Sequence, residues 1–130
     1  MRERGIYAVA AVLTIALGLA SRSGDLLPEP VAKTLGDALY AVLVFLLVAC
    51  AVPRATTRNL AVIAFAICAA VEASQAVDTP WLDAARDTWL GRHILGESFA
   101  WLDLARYAVG IAAVALIRWR AREVRTRDRR

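Results

Sequence analysis

Apolar residues arrive in blocks, and polar residues gather between the blocks or close to their ends. Four blocks approach the length of about 20 residues that crosses a hydrocarbon core as a helix. They are Gly5–Ala20, Leu35–Val52, Leu60–Val77 and Phe99–Trp119. A soluble bundle would place polar residues every third or fourth position along an outward face. Ala41–Val52 and Leu60–Val71 contain no charge. The pattern predicts an all-α integral membrane bundle of four transmembrane helices, folded as a single membrane domain over residues 1–130.

Between the blocks the turn signals are local. Ser21–Lys33 reads as a loop, with Gly24-Asp25 as a turn and Pro28 and Pro30 as breakers, so the second helix is expected to open near Thr34. Pro53–Asn59 reads as a short hairpin that makes the second and third helices antiparallel neighbours. Asp78-Thr79-Pro80 reads as a helix cap followed by proline in the first turn. In Trp81–Leu90 the apolar residues recur at helical spacing, opposite Asp83, Arg86 and Asp87. That predicts one short amphipathic helix at the membrane interface between the third and fourth spans. Gly91 and Gly96 permit the turns into the last span, which enters at Phe99.

Composition adds weight: 59% of residues are hydrophobic and mean hydropathy is +0.51. A basic start before an apolar run also describes a signal peptide, with Arg2 and Arg4 as its basic end. Retention as a span fits the charge bias better. Eleven basic residues fall at the N-terminus, in the second loop and in the tail at 118–130, against four in the first and third loops. Lysine and arginine collect on the cytoplasmic side, so both termini are expected there, in a multi-pass membrane protein. The net charge of +4 comes mainly from the tail at 120–130, which suits anionic headgroups and gives no reason to invoke nucleic acid. Cys50 and Cys68 lie inside spans and read as packing residues rather than a disulfide.

The candidate chemistry is the set of polar residues at membrane depth, where ionisable groups are costly and mark functional sites. Asp37 and Tyr40 lie on the second helix. Glu72 and Gln75, three apart, share a face of the third. Asp103, Arg106 and Tyr107 share a face of the fourth, and Gly110 follows one turn deeper as a place for close helix approach. Asp37, Glu72, Gln75, Asp103 and Arg106 fall within about 10 Å of one boundary at 1.5 Å rise per residue. They predict one polar cleft on the extracytoplasmic side, beneath a loop carrying Asp83, Arg86 and Arg92. Arg106 is expected to pair with Glu72 or Asp37, with Arg86 or Arg92 folding over the cleft. The tryptophans read as interfacial anchors and His93 as a solvated loop residue. No spacing requires a metal or cofactor, and no nucleophile constellation identifies catalytic residues.

Several stretches together, GDALYAVLVF, Glu72-Ala-Ser-Gln75, PWLDAAR, LGRHILG and FAWLDLARYAVG, resemble the uncharacterised bacterial membrane family numbered 2809 among domains of unknown function. More distantly, the chain resembles VanZ-like membrane proteins in its four-helix layout, its Glu-x-x-Gln on the third helix and its Asp-bearing, Gly-containing last helix. The resemblance implies a small bacterial membrane protein, points to the same polar residues and suggests a cell-envelope role. Three functions compete: binding or transport of a lipid headgroup or envelope precursor, intramembrane acid–base catalysis by Glu72 or Asp103, and a purely structural network in a partner subunit. Membrane lipids are the expected partners, and homo-oligomerisation stays open.

Overall fold

The computed structural model describes residues 2–23, 27–77, 79–95 and 100–128. The turn at Gly24-Asp25, the Asp78 cap, the turn at Gly96, the entry at Phe99 and the last two arginines lie outside the described residues. The described chain is helical: α1 Arg2–Arg22, α2 Glu29–Ala51, α3 Thr57–Ser74, α4 Pro80–Arg86, α5 Trp89–Leu95 and α6 Trp101–Arg127. By length and composition, α1, α2 and α3 are apolar enough to cross a membrane.

α2 is the central element. It packs against α1, α3 and α6, while α1 touches α2 alone through its backbone. The core lies along α2, where Ala41, Phe45 and Ala49 meet Leu60, Ala64 and Cys68 of α3 and Tyr107 and Ile111 of α6. Close approach of α2 and α6 depends on Gly110, because a Cβ there would lie 2.3 Å from the carbonyl oxygen of Ala38. Small residues allow this kind of helix contact in apolar surroundings. The outer face of α1 exposes Val9, Val12, Leu13 and Leu17. Cys50 and Cys68 are free.

Three boundaries differ from those expected. α2 begins at Glu29 rather than near Thr34, since Pro30 sits in its first turn, where no intrahelical N–H is needed. α1 extends to Arg22, which carries that side chain toward α2. The single interfacial helix is two, α4 and α5. Thr88 separates them, donating to Ala85 O (2.7 Å) and accepting from Gly91 N–H (2.9 Å). A threonine hydroxyl that bonds local backbone in this way ends one helix and opens the next. At the far end, α6 continues through the basic tail to Arg127. Thr56 caps α3 by accepting from Asn59 N–H at 3.2 Å.

Candidate functional site

The C-terminal ends of α1 and α3 meet the N-terminal ends of α2 and α6 at one end of the bundle. Five charged side chains interlock there. Asp37 accepts from Arg22 (3.5 Å), Lys33 (3.4 Å) and Arg106 (3.2 Å). Asp103 accepts from Lys33 through both oxygens, at 3.0 and 2.9 Å, and from Arg106 one helical turn away. Three helices thus contribute three cations and two carboxylates, leaving one positive charge in excess. Asp37 and Asp103 are buried and Arg106 is half-buried, whereas the Lys33 and Arg22 side chains are 52% and 39% exposed. The two exposed cations keep part of their hydration, which lowers the cost of holding charge beside buried carboxylates.

Arg106 therefore pairs with Asp37 and Asp103, and not with Glu72. Glu72 is wholly enclosed and accepts two neutral donors, Ala100 N–H (2.7 Å) and Tyr107 O–H (3.0 Å). These bonds fasten the end of α3 to the start of α6. The Tyr107 ring also packs at 5.8 Å from that of Tyr40 on α2.

A cleft of about 700 Å³ opens beside the network. Of the expected site residues, Asp37, Tyr40, Gln75, Arg92, Asp103 and Tyr107 line it. Arg22, Glu29, Lys33, Trp89 and His93 line it too, although none was expected there. His93 lies against the Trp89 ring at 4.4 Å, the two rings tilted by 36°, with Nδ1 2.7 Å from Trp89 O, so α5 presents an aromatic pair to the cleft.

Of the other four expected residues, Glu72 and Arg106 do not line the cleft but make the contacts given above, and two point elsewhere. Arg86 is buried and donates to the carbonyls of Ser74 and Val77 and to Asp83 (3.1 Å). Ser74 ends α3, so the guanidinium satisfies carbonyls left open at that helix terminus. Asp83 and Arg86 thus join α4 to α3 and do not fold over the cleft. Among the described residues, no group of three histidine, cysteine, aspartate or glutamate side chains is placed to hold a metal ion.

One residue counted only toward charge bias also has a structural post. Arg118, buried on α6 at the other end of the bundle, donates to Tyr7 Oη (2.8 Å), Thr57 Oγ1 (2.9 Å) and the carbonyls of Pro53 (3.3 Å) and Ala55 (3.2 Å). It joins α1, the α2–α3 turn and α6. Its aromatic, hydroxyl and carbonyl partners are all distant in sequence, and no spacing rule links them.

A family model described as "Protein of unknown function (DUF2809)" matches residues 26–111. That segment runs from the start of α2 to the middle of α6 and holds the whole charged network except Arg22. No solved structure matches the chain.

Proposed function

The chain belongs to the DUF2809 family of proteins of unknown function, and from its site we propose that it binds the polar headgroup of a membrane lipid or lipid-linked cell-envelope precursor. In this reading it is a four-span protein of the bacterial plasma membrane, with both termini cytoplasmic and the cleft extracytoplasmic. Charge bias supports that orientation. The charges that make α6 less apolar than the other long helices support its role as the fourth span. Asp103 and Arg106 are paired inside the bundle, Arg118 is enclosed, and Tyr107–Ile117 between them is uncharged.

The observation that carries the proposal is the surplus cation beside a cleft that holds both signs of charge. Arg22, Lys33 and Arg92 offer donors to a phosphate or carboxylate, and Glu29 and Asp37 accept from headgroup hydroxyls or amines. A volume of about 700 Å³ suits a small polar group. The exposed tryptophans Trp81, Trp89 and Trp101 support a headgroup-level position for this end of the molecule. Acid–base catalysis by Glu72 is disfavoured, because it is enclosed by two donors and does not line the cleft. A binding, accessory or transport role fits better.

The test is native mass spectrometry of the protein released gently from its own membranes. Arg92→Glu, which alters the cleft outside the ion-pair network, is expected to carry one phosphate- or carboxylate-bearing lipid fewer than the wild type. Equal occupancy in both proteins would refute the reading.

A further inference from the structure

α1 and α6 both pack on α2, their backbones held apart from each other, and a groove of about 190 Å³ runs between them. Phe45 and Leu46 of α2 form its floor. Tyr7 and Ala10 of α1 and Val114 and Ile117 of α6 form its walls. Arg118, Arg122 and Arg125 stand at the end nearest the termini. This is the end of the bundle away from the cleft, and its arginines lie outside the segment matched by the family model.

Charge at the mouth of this groove is not balanced. Arg118 is only 6% exposed, yet it donates to hydroxyls and carbonyls of neutral residues. Arg122 donates to Pro53 O at 3.3 Å. Neither arginine has a carboxylate partner among the described residues. Among the described residues the one carboxylate lining the groove is Glu3, which lies 3.7 Å from Arg125. Three guanidinium groups therefore face one carboxylate above an apolar trough. A buried guanidinium without a counter-ion favours an anion nearby. Basic pockets between membrane helices suit anionic lipid headgroups. A second copy of this chain is a poor occupant, because each carries a net charge of +4 and would bring its own arginines.

We propose that this groove is a binding site for one anionic phospholipid, with an acyl chain lying between α1 and α6 and the phosphate held by Arg122 and Arg125. Arg118 positions the groove by tying α1 to α6 and adds positive potential beneath the phosphate. The site is separate from the cleft and needs nothing from its function.

The experiment is native mass spectrometry of delipidated protein in a neutral detergent, supplied with dioleoylphosphatidylglycerol or dioleoylphosphatidylcholine. Wild type is expected to retain phosphatidylglycerol in preference to phosphatidylcholine, and to keep that preference in Arg92→Glu, which alters only the cleft. Arg122→Gln/Arg125→Gln is expected to lower phosphatidylglycerol affinity about 30-fold, or about 2 kcal/mol, at about 1 kcal/mol for each basic residue near an anionic surface. Ala10→Phe, which fills the trough and spares every arginine, is expected to reduce retention as well. Equal retention of the two lipids by wild type would overturn the proposal, as would an unchanged preference in the double arginine variant. Should that variant fail to fold, wild-type retention by Ala10→Phe overturns it instead. Competition by deacylated glycerophosphoglycerol as strong as by the intact lipid would also overturn it, since the site would then take a soluble anion.

Discussion

Replacing Glu72 by leucine keeps most of the side-chain bulk but removes both acceptors at the junction of α3 and α6. The N–H of Ala100 and the hydroxyl of Tyr107, now 2.7 and 3.0 Å from the carboxylate, would each lose their partner. A buried donor left unpaired costs about 1–3 kcal/mol, so the two together cost about 2–6 kcal/mol. Relief from burying a carboxyl group offsets part of this, and a net loss of about 3 kcal/mol is expected. Tyr107→Phe removes one donor and leaves Glu72 held by Ala100, for a loss of about 1 kcal/mol. In the double variant only the Ala100 N–H is orphaned. Its loss should therefore fall short of the sum of the single losses by about 1–2 kcal/mol. The assay is equilibrium unfolding in mixed micelles, with sodium dodecyl sulfate titrated into dodecylmaltoside and helicity read by circular dichroism. Glu72→Gln is the control: its amide oxygen can accept from Ala100 while its amino group donates to the tyrosine oxygen, so near wild-type stability is expected. Single losses that add to within about 0.3 kcal/mol would refute the latch.

The other expectations concern packing, capping and topology. Gly110→Ala should destabilise the bundle by about 1–3 kcal/mol in the same assay, because a Cβ would meet the backbone of Ala38 and force α2 from α6. Gly18→Ala, where a Cβ meets nothing within 4 Å, should not. Arg86→Lys replaces a fork that reaches Ser74, Val77 and Asp83 by a single nitrogen, so about 1–2 kcal/mol is lost. Hydrogen–deuterium exchange should then speed up across α4 and leave α2 unchanged. Cysteines introduced at Ala55 and Thr126 in a cysteine-free background should react with an impermeant maleimide from the same side of the membrane. Labelling from opposite sides would remove α6 from the spans.

Much of this arrangement can be read from periodicity alone. Apolar blocks locate the long helices, and the i, i+3 and i+4 spacings put Asp103, Arg106 and Tyr107 on one face, where they do meet α2 and α3. The reach of Arg106 to Asp37 was among the expected pairings. The sign of the local charge was not legible, because Pro28 and Pro30 look like loop residues. Once Pro30 is recognised as a first-turn proline, Lys33 falls one turn before Asp37 on the same helix, and the i, i+4 pair becomes visible. Arg22 follows from the same shift, since a shorter loop brings the end of α1 beside Gly36, where its guanidinium crosses α2 in the space a side chain would occupy. Glu72 and Arg86 were harder. Their main partners are backbone groups, an amide N–H for one and carbonyls for the other, and hydropathy patterns do not reveal which helix ends come within reach. Thr88 as a helix divider was readable in principle from its capping chemistry, but the apolar spacing of Trp81–Leu90 masked it.

The most direct measurement of headgroup binding is photocrosslinking from inside the cleft. Benzoylphenylalanine at Ile94, which lines the cleft from α5, would be irradiated in native membranes and the adduct identified by mass spectrometry. The expected adduct is a lipid or lipid-linked precursor with an anionic headgroup, strongly reduced by Arg92→Glu and unaffected by Arg122→Gln/Arg125→Gln. Labelling of bulk lipids in proportion to their abundance, equal in wild type and Arg92→Glu, would contradict a headgroup site at this end of the bundle.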